Sequence, residues 1–253
     1  MRNVFVVLSP AVGDQLSAAM EYALALAYAQ KAHLSVLIEK IETYPPAPPP
    51  EPNNMQADEI VVEPPSLAEG LTRTVKLVRS AANFANVPCE VVGRGEFASL
   101  REGLIYVAQV RDVLIIDVYQ PLQPPRKDLV ASVLFGSGRP LILVPQGARE
   151  FAVDKIVIAW DATRSAVRAV HDALPLLAQA REVAVVSVID DKAFIPDTGS
   201  LLCDYLAQWD VVASFNSISR GDLNIGMALL AYARRIDANL LVMGAFVLYK
   251  NSF

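Results

Sequence analysis

The sequence is poor in the features that mark several large protein classes. Its 253 residues hold only two cysteines and two histidines. Cys89 and Cys203 have no C-x-x-C partner, which argues against a disulfide framework or a zinc cluster and leaves both as buried, inert thiols. His33 opens an apolar run and His171 falls within a helical pattern, so neither joins carboxylates at ligand spacing and no structural metal is expected. An excess of positive charge is also lacking. With 22 Lys and Arg against 27 Asp and Glu the net charge is −5, which removes the electrostatic footprint of a general DNA or RNA binder. Long apolar runs are absent: VFVVLS, DVLIID and NLLVMG are five to seven residues long, against about 20 for a membrane-crossing helix. The opening MRNVFVVLSP meets Pro and Gly-Asp before a secretory apolar stretch could develop, so a cytoplasmic location is expected.

What is present suits a globular protein with buried sheets, since 53% of residues are hydrophobic and 19% charged. A chain of 253 residues exceeds the common domain size of about 100–150 residues, so two domains are expected. An internal repeat supports this. Val4–Lys40 can be laid on Ile156–Asp190, each giving an apolar strand, a small polar turn, an amphipathic helix, a charged turn and a second apolar strand.

In the first half, strands continue at Glu90–Val92, Val113–Val118 and Leu141–Val144, with helices over Leu67–Phe84, Ser99–Gln109 and about Lys127–Leu134. The second half offers strands near Ile156–Trp160, Val183–Ile189, Val211–Phe215 and Leu240–Met243, then lacks a counterpart of Lys127–Val144. Its helix Ser165–Gln179 contains Pro175, which is expected to kink it beyond His171. Strands apolar on both faces and alternating with helices predict two repeated α/β domains, each a doubly wound parallel sheet of order 3-2-1-4-5, the second without its last helix and strand. The domains are expected over residues 1–146 and 152–253. Residues 44–65 form a proline-rich loop in the first, read as an extended connection, with recognition by proline-binding partners as the sharper alternative.

In an open parallel sheet a ligand sits beyond the carboxyl ends of the strands, where strand order reverses. That rim would comprise Ser9 and Asp117 in the first half, with Gly136 and Ser137 added from the fourth helix end. In the second it would comprise Asp161, Ala162 and Thr163 after the first strand, Val188 at the end of the second, and Gly244 and Ala245 after the fourth.

The repeat, together with IVIAWDATRSA, DANLLVMGA and FGSGRPLILVP, resembles the universal stress protein family over nearly the whole chain. The resemblance implies an adenine nucleotide alpha hydrolase-like fold, ATP or another adenine nucleotide as cofactor, an Asp after the first strand, and a run G-x2-G-x9-G-[ST] after the fourth. Glycine amides in such a run approach phosphate oxygens closely. This sequence departs from the pattern. Gln123 and Arg126 stand at the early glycine positions of the first half, where only Gly136-Ser137 survive, and Ser9 replaces the Asp. The second half keeps Asp161 but has Val247 and Lys250 at those positions. Arg126 and Lys250 could supply a cationic phosphate contact or be solvated charges. Asp161 could contact a ligand or cap the following helix.

Other signals weigh less. Gly93–Ala98 matches G-x-G-x-x-A but follows the third strand, so a tight turn is the reading. Gly136-Ser137-Gly138 lacks the spacing of a nucleophile elbow. No general base accompanies the crevice, so the expectation is a non-catalytic stress-response module with a degenerate nucleotide site; the alternative is an ATP-binding protein with slow hydrolysis. The unpaired fourth strand of the second half predicts a homodimer, or an intramolecular pairing of domains, through the last-strand edge.

Overall fold

The computed structural model describes residues 1–9, 15–39, 65–92, 99–118, 126–148, 151–190 and 197–245. The chain divides into two compact units, Met1–Glu150 and Phe151–Phe253. The first contains β1 (Asn3–Leu8), α1 (Ala18–Gln30), β2 (His33–Ile38), α2 (Pro65–Phe84), β3 (Cys89–Val92), α3 (Leu100–Gln109), β4 (Val113–Val118), α4 (Arg126–Gly136) and β5 (Leu141–Pro145). The second contains β6 (Lys155–Ala159), α5 (Arg164–Leu177), β7 (Glu182–Val188), α6 (Thr198–Ala207), β8 (Ala213–Ile218), α7 (Ile225–Arg235) and β9 (Leu240–Val242).

Sheet A is parallel with order β3-β2-β1-β4-β5, as the alternation of strands and helices predicts, and sheet B is parallel with order β8-β7-β6-β9. The central strands are apolar on both faces because helices cover both. Phe5 and Val7 pack with Leu104 and Val133 of α3 and α4, while α1 lies against β1, β4 and β5 on the other face. Residues Val4 to Val7 are 0% exposed, which accounts for an uninterrupted VFVV run where a half-solvated strand would alternate. In the second unit Val157 and Ala159 pack beneath Leu229 and Tyr232 of α7.

The two registers make the repeat residue-specific. Val4 pairs Val113 and Ile156 pairs Leu240, so Val4 corresponds to Ile156 and Val113 to Leu240. The hydrogen bonding entering the fourth strand recurs at matching positions. In unit 1 the Asp112 amide donates to the Asn3 carbonyl (2.9 Å), and the Asn3 amide donates back to Asp112 Oδ2 (2.9 Å). In unit 2 the Asn239 amide donates to the Lys155 carbonyl (2.8 Å), and the Lys155 amide donates to Asn239 Oδ1 (2.9 Å). Both side chains clamp the start of the first strand. Burial works against a charge on Asp112, but hydrogen bonds from the Arg2 and Asn3 amides, with Arg139 nearby, outweigh it and hold the carboxyl below its usual range.

Helix starts follow side-chain caps. Ser17, Ser99, Thr163 and Asn224 have extended backbones and accept from the amide three residues on. Three boundaries differ from the sequence reading. Pro65 begins α2 instead of ending the loop, consistent with its fixed φ and missing donor at a first helical position; the rest of 44–65 lies outside the described residues. Strand β8 runs Ala213–Ile218, later than Val211–Phe215, because Asp210 turns left-handed (φ 58) and the Val211 amide still bonds Leu206 behind it. Helix α5 ends at Leu177, so Pro175 falls in its last turn and the expected continuation to Gln179 does not occur. Cys89 and Cys203 also depart from expectation, being half-buried rather than buried. Partial burial raises both thiol pKa values, reinforced by Glu90 and Asp204 respectively, so both stay protonated.

Candidate functional site

Each sheet has its strand-order reversal between its first and fourth strands, and parallel strands bring the carboxyl ends of those two strands together there. In unit 1 this places Ser9, just beyond β1, beside Asp117 on β4. In unit 2 it places Asp161, beyond β6, beside Gly244, beyond β9. Following the registers outward, Ser9 corresponds to Asp161 and Asp117 to Gly244. Across these two strand ends each unit therefore carries one carboxylate among the described residues, on opposite strands in the two units, and unit 1 adds the buried Glu39 beyond β2, at the position of Val188.

Asp117 and Asp161 are both engaged with the first helix of their own unit. Asp117 is only 5% exposed, and its Oδ1 accepts from the Ala19 amide at 2.9 Å, in the first turn of α1. A helix N-terminus presents unbonded amides and partial positive charge to an incoming anion. Here the protein's own carboxylate takes that position.

In unit 2, Asp161 Oδ1 accepts from the Thr163 amide (3.1 Å) and from Thr163 Oγ1 (2.6 Å). Thr163 Oγ1 in turn lies 3.0 Å from Ser165 Oγ and accepts from the Ala166 amide (3.3 Å). The cap of α5 is thus Thr163, and Asp161 orients that cap rather than forming it. Ala162 adopts a left-handed φ of 54 to make the turn, a conformation usually left to glycine. Gly244 closes the other side. A Cβ there would meet Ser165 Oγ at 2.7 Å and the Ala166 nitrogen at 2.8 Å, so the strand end rests directly on the first turn of α5.

Other predicted residues fall as follows. Val188 ends β7 at the same end of sheet B, and Ala245 follows Gly244. Arg126 is the first residue of α4; Gln123, Val247, Lys250 and the Gly93–Ala98 turn lie outside the described residues. Gly136 and Ser137 need correction. Helix α4 returns the chain from the carboxyl end of β4 to the amino end of β5, so its last residues sit at the opposite end of the sheet from Ser9 and Asp117. There the Ser137 hydroxyl, 7% exposed, accepts from the Arg139 amide (3.2 Å), and Arg139 Nε donates to the Gln109 carbonyl (2.8 Å). They form a turn, not part of the crevice.

One feature at the unit 2 crevice has no motif. The Trp160 indole N–H is buried with no acceptor among the described residues, while the backbone oxygen of Trp160 accepts from the buried Ser187 hydroxyl at 2.7 Å. Strand alternation sets Trp160 opposite the Val157–Ala159 face, toward α5. The exchange of carboxylates was readable only by aligning the halves strand by strand, which sets Asp117 against Gly244. Among the described residues no group of three or more His, Cys, Asp or Glu is arranged to hold a metal ion, and no helix is long and apolar enough to cross a membrane.

The architecture is that of doubly wound α/β proteins. Comparison with solved structures makes this specific. A universal stress protein from Archaeoglobus fulgidus DSM 4304 is similar over 95% of this chain and 86% of its own, with a TM-score of 0.70 and 14% identity. A protein of the universal stress protein family from Burkholderia pseudomallei is similar over 39% of this chain and 86% of its own, with a TM-score of 0.32 and 23% identity. The first likeness establishes a universal stress protein fold. No family profile and no curated protein matches the sequence.

Proposed function

We propose that this chain is a stress-response protein of the universal stress type, acting as a non-catalytic binding or interaction module whose nucleotide site is degenerate. The observation that carries this reading is the Asp117 carboxylate on the Ala19 amide, 2.9 Å away and 5% exposed. A nucleotide phosphate approaching α1 would meet a buried negative charge where it needs a free amide. In this reading residues 1–146 and 152–253 are two copies of one domain, and the protein is cytoplasmic. Outside pairing of β9, which among the described residues is hydrogen-bonded only to β6, favours a homodimer or an intramolecular pairing of domains at that edge.

Native mass spectrometry of freshly purified protein, followed by calorimetry with Mg-ATP, tests the function. The expected result is no retained nucleotide and weak or absent binding; submicromolar affinity would overturn it. A second reading, ATP binding with slow hydrolysis in unit 2, is favoured by Asp161, by the small residue at Gly244 and by the unpaired Trp160 N–H. It predicts that binding, if found, is lost in Asp161→Ala.

A further inference from the structure

Helix α6 carries a feature that neither the fold nor the crevice requires. Its inner face is fully used: Leu202 and Leu206 are buried, and Gly199 lies so close to Phe215 of β8 that a Cβ would fall 2.1 Å from the ring. The outer face is nonetheless apolar. Leu201 (64% exposed), Tyr205 (37%) and Trp209 (50%) recur every four residues as one ridge, and Val212 (85%) extends it. The Tyr205 and Trp209 rings pack against each other, with centroids 6.4 Å apart. Beside the ridge runs a shallow, open groove of about 440 Å³, lined by Cys203, Ala207, Val211 and Val212 and edged by Asp204 and Asp210.

The other unit supplies an internal control. Pairing of Leu34 with Cys89 and of Val183 with Ala213 aligns β3 with β8. Counting back, Asp210 matches Asn86, and both are left-handed (φ 58 and 53). The ridge positions Tyr205 and Trp209 then match Ala81 and Ala85, while Asp204 matches Ser80 and Cys203 matches Arg79. At these positions the matching helix of unit 1 has neither aromatics nor acids; its exposed aromatic, Phe84, falls at the position of Gln208, off the ridge.

We propose that the α6 face of unit 2 is a docking surface for a basic, amphipathic helical segment of another protein, its apolar side on the Leu201–Tyr205–Trp209 ridge and its cations on Asp204 and Asp210. Exposed Trp and Tyr are the side chains that anchor interfaces. Charge selects the partner: from Ala193 to Ser219 there is no Lys or Arg, while Asp197, Asp204 and Asp210 are all acidic. Packing α6 against α6 of a second copy would set these carboxylates against their own kind.

The test uses the full chain and a helical leucine–lysine peptide with apolar residues at i, i+3, i+4 and i+7, alongside a leucine–glutamate peptide of the same pattern. Calorimetry is expected to show saturable binding of the basic peptide alone, weakened by added salt. Two variants import the residues of unit 1. Tyr205→Ala with Trp209→Ala keeps every charge and is expected to weaken binding about tenfold or more, and Asp204→Ser with Asp210→Asn to weaken it and flatten its salt dependence. Circular dichroism checks that both variants remain folded. Equal binding by the aromatic variant, binding of the acidic peptide, or no binding at all would overturn the proposal. So would light scattering that shows a concentration-dependent dimer abolished by the aromatic variant, since a second copy would then occupy the face.

Discussion

Replacing Asp117 by alanine removes the carboxylate from the first turn of α1 and leaves the Ala19 amide without the acceptor it has at 2.9 Å. Hydrogen bonds to charged groups contribute about 1.5–3 kcal/mol, and at 5% exposure water cannot fully replace the lost acceptor, so a loss of about 2–3 kcal/mol is expected. Asp117→Asn keeps an acceptor for the Ala19 amide but loses the favourable charge at the helix N-terminus, about 1 kcal/mol, and sets an amide donor at the buried Oδ2 position. The chain offers a convenient separation of signals, because its two tryptophans, Trp160 and Trp209, both lie in unit 2. Denaturant unfolding followed by far-ultraviolet circular dichroism senses both units, whereas tryptophan emission senses the second. The Asp117→Ala variant is expected to develop an early transition in circular dichroism while the emission midpoint holds. A loss below about 0.5 kcal/mol, the usual effect of a neutral surface change, would refute the view that this carboxylate closes the helix end.

Two further outcomes follow from the same geometry. The Asp112 carboxyl is held below its unfolded value, near 3.9, so its contribution to stability is present above that value and lost as pH falls through the lower folded one. Asp112→Asn, which imports the Asn239 clamp of unit 2, is expected to be less stable than the parent at neutral pH and to show a shallower loss below about pH 4, read from midpoints across a pH series; an unchanged acid slope would count against the clamp. Gly244→Ala forces a Cβ to within 2.7 Å of Ser165 Oγ and 2.8 Å of the Ala166 nitrogen. The strand end must shift, at a cost of about 1–3 kcal/mol, visible in the emission transition of unit 2, and an unshifted midpoint would show that the contact yields freely.

Much of this architecture was legible in the residues. Runs such as VFVV and VLII, apolar at every position and separated by amphipathic stretches, can be satisfied only by parallel strands covered on both faces, and the observed order β3-β2-β1-β4-β5 is the doubly wound one they imply. The repeat was legible for the same reason, since equivalent strands need equivalent burial. Boundaries were less so. The start of β8 depended on Asp210 turning left-handed, a backbone choice that Asp permits but does not announce.

The candidate site divides along the same line. Which residues sit at strand ends is a matter of sequence order, so Ser9, Asp117, Asp161 and Gly244 could be named from the chain alone. What they do could not, because function at that point depends on groups far apart in sequence: Asp117 meets Ala19 across 98 residues, and Gly244 meets Ser165 across 79 (244 less 165). The Gly136-Ser137 motif shows the converse. It reads as a phosphate-binding remnant in one dimension, yet the return path of α4 carries it to the far end of the sheet. Local chemistry and strand pattern are written residue by residue, whereas the partner of each polar group at the crevice is decided by the register between strands, which only the folded sheet specifies.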